Sequence, residues 1–80
     1  MNGCRYLSEL HSGECAFVTG LTAQGAMRRR LLDLGFCEGA AVACVGQSPC
    51  GDPCAYRICG AVVAIRAADA RGVLVREVKA

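Results

Sequence analysis

The sequence predicts a mainly β domain: a small, partly open β-barrel of about five strands, with one amphipathic helix inserted after the first strand. Three observations predict it. The chain has 80 residues, which is enough for one hydrophobic core and too few for two. Its apolar residues make up 54% of the chain and include many valines, which favour pleated strands. Short apolar stretches alternate with tight turns, and closing such strands into a barrel removes exposed edges.

The chain begins with a helical turn and a strand. Ser8 can cap a short turn over 7–12, and the apolar alternation predicts the first strand over 14–21. Cys15 and Phe17 share one face of that strand because side chains alternate. We expect this face to be the core face, with Phe17 as a core residue.

The helix follows at 23–35. Met27, Leu31 and Leu34 recur at positions i, i+4 and i+7, which places them on one stripe that we expect to be core. Gly35 is well placed to end the helix, since glycine adopts the left-handed conformation that helix ends require.

Four further strands complete the single domain, which we expect to span 1–80. They are predicted at 41–47, 54–59, 62–66 and 73–78, with a tight turn at 48–53 and a helical turn at 67–71. Ile58 and Ile65 fall on the expected core faces of their strands.

The net charge of +2 is too small to predict nucleic-acid binding. No apolar stretch approaches the roughly 20 residues of a membrane span, and the N-terminal residues lack the apolar core of a secretory signal. We therefore expect a cytoplasmic protein that is not itself inserted in a membrane.

Seven cysteines are an odd number, and without a secretory signal they indicate reduced thiols rather than a disulfide framework. The pattern favours packing for Cys15, Cys44 and Cys54, because free cysteine packs as a small hydrophobe. An alternative is a metal site for Fe²⁺ or Zn²⁺ built from Cys50, Cys54 and Cys59. No CxxC pair supports it, and alternation directs two of these side chains to opposite strand faces.

Nothing in the sequence predicts catalysis. The only histidine, His11, lies in a polar turn, and no nucleophile, phosphate-binding or metalloprotease motif is present. The Cys59 thiol, two residues from Arg57, is the only weak candidate for a reactive group, and we expect it to be inert. We therefore predict no catalytic residues and no enzyme activity.

The run Arg28-Arg29-Arg30 has two interpretations. It can be a solvated helix face, with Arg29 and Arg30 paired locally to Asp33. It can also be a docking patch for an acidic partner, with Leu32 as an apolar anchor beside the arginines.

Several segments together resemble the FeoA family of bacterial ferrous-iron uptake proteins. They are LSEL near the N-terminus, MRRRLLDLGF at 27–36, GDP at 51–53 and AIR at 64–66 after Gly60. The similarity extends from about residue 6 to residue 78. It implies an SH3-like barrel with a helix after the first strand, in agreement with the element order derived above.

The resemblance also implies a function. FeoA-like proteins are accessory partners of a membrane Fe²⁺ transporter with a cytosolic GTPase domain, and the family is associated with transition-metal handling. We expect contact with that partner through Arg28, Arg29 and Leu32 of the helix and through Gly51 and Asp52 of the adjoining loop. Formation of a homodimer is an alternative that the sequence leaves open.

The cysteines depart from the family's pattern. Aliphatic residues usually stand where Cys37, Cys50 and Cys54 are, and polar ones where Cys59 is. Cys59 is therefore the thiol we expect to be exposed. Two rival functions stay open: a cysteine-based metal carrier, and a regulatory domain like the SH3-like domains of iron-dependent repressors. The latter lacks room for a helix-turn-helix beside the barrel.

Overall fold

The computed structural model describes residues 4–77, and these form one antiparallel sheet with two helical segments. The strands are β1 (Cys4–Tyr6), β2 (Cys15–Leu21), β3 (Ala41–Gln47), β4 (Cys54–Ile58), β5 (Ala61–Ile65) and β6 (Val73–Glu77). A 3₁₀ turn covers Leu7–Glu9, and the helices are α1 (Gly25–Leu34) and α2 (Ala67–Ala70). The strand order is β1-β6-β2-β3-β4-β5.

The mainly β fold class with one substantial helix after an early strand is confirmed. The structure adds β1, whose three residues are too few to show an alternating pattern in the sequence. β1 pairs with β6, so the N-terminal segment joins the sheet beside the last strand. Residue 78, predicted to end that last strand, lies outside the described residues. No helix within 4–77 is long and apolar enough to cross a membrane.

The face of β2 that points inward is the opposite of the predicted one. Ala16 and Val18 are buried, whereas Cys15 is exposed and Phe17 retains 39% of its accessible surface. Alternation correctly places Cys15 and Phe17 on one face and Ala16 and Val18 on the other, but it does not determine which face is buried. The aromatic side chains of the core are instead those of Phe36 and Tyr56, both of which are buried.

Helix α1 ends in a Schellman motif that explains why Phe36 is buried. Gly35 has φ +110°, its N–H donates to the Leu32 carbonyl, and the N–H of Phe36 donates to the Leu31 carbonyl, both at 3.0 Å. In this motif the residue after the glycine packs back on the last turn of the helix. Both Leu31 and Phe36 are buried, so the end of the helix is fixed in the core.

The core is formed by buried side chains from strands β2 to β6, from both helices and from three residues outside the strands and helices α1 and α2. Leu31, Ile58 and Ile65 are buried as expected, while Met27 and Leu34 are half-buried against the core. The other buried side chains are those of Leu7, Leu10, Ala16, Val18, Phe36, Val42, Cys44, Cys54, Tyr56, Ala70, Val73 and Val75. Burial raises the pKa of the Tyr56 phenol, whose hydroxyl lies 3.5 Å from the Leu7 carbonyl.

Strand β4 ends at Ile58, one residue earlier than predicted, because the next two residues form the hairpin turn to β5. Cys59 has φ +53° and Gly60 has φ +81°, the signs that a two-residue hairpin of type I′ requires. This turn directs the Cys59 thiol toward the end of helix α1, where Sγ lies 3.8 Å from the Gly35 carbonyl oxygen.

Candidate docking surface

The outer face of helix α1 gathers three of the predicted contact residues. Arg28, Arg29 and Leu32 are all exposed, with Leu32 keeping 42% of its accessible surface. With Gly25 and Asp33 they line one shallow cleft. The arrangement follows from helical spacing, because residues three and four apart lie side by side on a helix. Arginine is enriched at protein interfaces, and a partner that covers this cleft would bury the exposed part of Leu32.

These arginines are not engaged by neighbouring carboxylates. All ion pairs among residues 4–77 involve Arg5, so the predicted local pairing of Arg29 and Arg30 with Asp33 is not present. A solvated arginine keeps its five donors available, and a partner's carboxylate can take two of them at once.

Three of the seven acidic residues instead surround Arg5. The Arg5 guanidinium lies 3.7 Å from Glu9 and 3.6 Å from Glu14, and it also contacts Glu77. The N–H of His11 donates to the Glu14 carboxylate at 2.7 Å and lowers the pKa of that carboxyl below its ordinary value, with Arg5 adding to the effect. The surface is therefore electrostatically uneven, with unpaired arginines on α1.

The loop at 48–53 does not join this cleft. Gly51 is exposed, but the Asp52 carboxylate accepts a hydrogen bond of 2.8 Å from the N–H of Ala67. Asp52 thereby satisfies a free N–H in the first turn of α2, which gives it a structural role. Pro53, the next residue, faces Met27 on a different side of α1. The structure thus separates the two halves of the predicted contact surface.

The three cysteines considered as metal ligands are not brought together. Cys50 is exposed, Cys54 is only 8% exposed and its thiol lies 3.4 Å from the Gly51 carbonyl, and Cys59 follows the far end of β4. The length of the strand separates the last two by about 15 Å. Among the side chains that the structure describes, which are those of residues 5–77, no three of His, Cys, Asp or Glu are close enough to share a metal ion. The alternative of a metal site built from these three thiols therefore finds no cluster in the structure, because Cys54 begins β4 and Cys59 follows its other end.

The other described thiols divide by burial. Cys44 is fully buried, as predicted, and burial raises the pKa of its thiol. Cys15, predicted to pack, is exposed because β2 turns its other face inward, and Cys37 is exposed in the loop after α1. Cys59 is exposed as expected. His11 is exposed in its turn.

Comparison with protein families places the chain clearly. The family model described as the FeoA domain matches residues 5–77. A fusion protein of Porphyromonas gingivalis, named Fe(2+) transport protein A/Fe(2+) transporter FeoB, is 39% identical over 64 residues. That match covers 80% of this chain but only 8% of the fusion protein.

Solved FeoA structures share the fold. The solution structure of the FeoA protein from Chlorobium tepidum is 37% identical, with a TM-score of 0.86 over 94% of this chain and 71% of that one. The crystal structure of Stenotrophomonas maltophilia FeoA in complex with zinc is 33% identical, with a TM-score of 0.80 over 89% and 88% of the two chains. The latter is described as a prokaryotic SH3 domain protein, which agrees with the SH3-like architecture expected here.

Proposed function

The chain belongs to the FeoA family, and from that premise we propose that it is a non-enzymatic accessory module of ferrous-iron uptake. It works in the cytoplasm by docking on the GTPase-bearing part of a membrane Fe²⁺ transporter. The fusion protein of P. gingivalis supports the association, since its name joins a transport protein A to the transporter FeoB in one polypeptide.

The observation that carries the proposal is the outer face of α1. Arg28 and Arg29 have no described carboxylate partner, and Leu32 is exposed between the polar residues of the same cleft. An exposed leucine in a helix is ordinary by itself. Its position beside two unpaired arginines favours a contact with an acidic surface that has an apolar centre.

The test is a triple substitution, Arg28→Ala/Arg29→Ala/Leu32→Ala, measured for binding to the purified cytosolic part of the cognate transporter. All three side chains are exposed, so we expect a nearly unchanged thermal transition. Binding should weaken by at least tenfold, and the remaining affinity should depend less on salt because the attraction of two charges has been removed.

A matched control removes the same kinds of side chain elsewhere. Arg57, Arg76 and Val45 are exposed on strands β4, β6 and β3, so Arg57→Ala/Arg76→Ala/Val45→Ala changes the net charge equally. We expect this control to bind as the wild type does. Equal losses in the two variants would mean that only bulk charge matters, and wild-type affinity of the first variant would place the interface elsewhere.

In this proposal Fe²⁺ is the cargo of the transporter and not a resident cofactor of this chain. The S. maltophilia relative was crystallised with zinc, so metal handling by this chain needs its own test. The separation of Cys50, Cys54 and Cys59 predicts that the reduced protein binds Zn²⁺ weakly, without the stoichiometric tight phase of a three-thiolate site. Isothermal titration of the reduced protein measures this directly.

A further inference from the structure

A groove separates helix α1 from the second half of strand β5. Its volume is about 260 Å³, and the apolar residues Met27, Leu34 and the nearly fully buried Ile65 are among those that line it. Met27 and Leu34 are the two half-buried residues of the predicted core stripe, so the helix leaves part of that stripe uncovered. The groove lies on a different side of α1 from the cleft of Arg28 and Arg29, because no residue lines both.

Strand β5 forms one wall of the groove and is an edge of the sheet. It pairs only with β4, and no other described backbone hydrogen bond involves residues 61–65. An edge strand leaves alternate N–H and C=O groups unpaired along its outer side. The segment AVVAI contains no charge and no proline, the residues by which edges usually prevent further pairing.

The rim of the groove is positively charged. Arg30 stands on the helix side and Arg66 follows the end of β5, while Asp69 is the one acidic residue lining the groove. Neither arginine forms an ion pair with a carboxylate of residues 4–77, and Asp69 forms none either. A ligand with negative charge therefore gains two attractive contacts against one repulsive contact.

We propose that this groove binds an extended peptide segment of a partner protein, which adds to β5 as a further antiparallel or parallel strand. An apolar side chain of the segment lies against Met27, Leu34 and Ile65, and an acidic side chain pairs with Arg30 or Arg66. Strand addition obtains affinity from main-chain hydrogen bonds and specificity from pockets for alternate side chains, and this site offers both. The inference is independent of the proposed function, since it uses another face of the molecule.

The probe is a fluorescently labelled hexapeptide, Glu-Val-Thr-Val-Thr-Glu, whose binding is measured by anisotropy. Two analogues carry N-methyl groups on the odd-numbered or on the even-numbered amides. Only one set of amides can face β5, because successive N–H groups of a strand point to opposite sides. We expect one analogue to lose binding by more than about tenfold, since several hydrogen bonds are lost together, and the other to keep it. Equal behaviour of the two analogues would overturn strand addition.

Protein variants test the charged rim. Arg30→Glu/Arg66→Glu should weaken binding about tenfold, while a peptide with lysine at both ends should bind this variant better than the wild type. The control Arg57→Glu/Arg76→Glu changes the net charge equally, at two exposed arginines that line neither the groove nor the cleft of Arg28 and Arg29, and should bind the peptide normally. If both double variants bind equally weakly, the groove does not select the acidic peptide and the proposal fails.

A second copy of the chain is the competing occupant of the edge, and sedimentation at the same concentrations identifies it. The proposal expects a monomer whose amide resonances at 61–66 and 27–34 shift on peptide addition. A dimer that Val62→Lys dissociates and the peptide leaves intact would assign β5 to self-association and overturn the proposal. The docking of the α1 outer face is tested separately, because the substitutions at Arg28, Arg29 and Leu32 do not alter the groove.

Discussion

Replacing Gly35 by alanine should destabilise the domain through two separable effects. Gly35 has φ +110°, where a side chain is strained, and a Cβ built on it would lie 2.8 Å from the Sγ of Cys59. Left-handed backbone costs an L-residue about 1–2 kcal/mol, and displacing the exposed Cys59 thiol from its preferred rotamer costs about 0.5–1.5 kcal/mol. We therefore expect a loss of about 1.5–3.5 kcal/mol, a large share of the roughly 4–12 kcal/mol that stabilise 80 residues.

A double-mutant cycle with Cys59→Gly separates the two effects. Cys59 itself has φ +53° and is exposed, so glycine there relieves backbone strain and removes the sulfur that the new Cβ would meet. In this background Gly35→Ala should cost only the backbone share of about 1–2 kcal/mol. The difference between the two backgrounds is a coupling of about 0.5–1.5 kcal/mol, above the deviation of about 0.3–0.5 kcal/mol expected for independent sites.

Gly39→Ala is the matched control. Gly39 has φ +90° but nothing within 4 Å of the position of its Cβ, so only the backbone cost applies. Equilibrium unfolding in urea gives the free energies, and each kcal/mol should also lower the melting temperature by about 4–8 °C. Equal costs at Gly35 and Gly39, together with no rescue by Cys59→Gly, would refute the steric contact between the helix end and the hairpin turn.

Three further predictions concern the core and the thiols. Leu31→Ala should lower the free energy of unfolding in urea by about 2–5 kcal/mol because Leu31 is buried. Leu32→Ala, at the neighbouring exposed position, should lower it by less than about 0.5 kcal/mol. Similar losses for the two variants would contradict the orientation of the helix. A thiol reagent should find seven thiols in denatured protein prepared without air, and a count of one would mean three disulfides. In native protein the fast-reacting described thiols should be Cys15, Cys37, Cys50 and Cys59. Burial raises the pKa of Tyr56 above its unfolded value of about 10, so the neutral phenol contributes fully to the free energy of unfolding below that pH, and this contribution is lost as pH rises beyond it. Tyr56→Phe should therefore reduce the fall in the free energy of unfolding at alkaline pH. An unchanged pH dependence would contradict the burial of Tyr56.

Helix α1 contributes residues to three different environments: the core, the outer cleft and the groove beside β5. Leu31 points into the core, Arg28 and Leu32 line the outer cleft, and Met27 and Arg30 line the groove beside β5. A ten-residue helix can do this because successive residues are rotated by about 100°. The two surfaces can therefore be altered independently, by substitutions at Arg28 and Arg29 for the outer cleft and at Arg30 and Arg66 for the groove.

The sequence alone determined the features that depend on neighbouring residues. The spacing of Met27, Leu31 and Leu34 predicted α1, and Gly35 predicted its end, because helix periodicity and the left-handed cap are local properties. The alternation through Tyr56 and Ile58 likewise identified the buried face of β4. The order of motifs indicated the FeoA family, which the match over residues 5–77 confirms.

Features that depend on residues distant in sequence follow from the packing of the folded chain. Alternation alone does not determine which face of β2 turns inward: Ala16 and Val18 are buried in the core, and Phe17 is exposed. The role of Asp52 depends on the N–H of Ala67, fifteen residues away. The groove exists because β5 is left at the sheet edge beside α1, a consequence of strand order. Alternation and helical spacing specify which residues of one segment lie together, but the partner that each face meets is set by the packing of the whole chain.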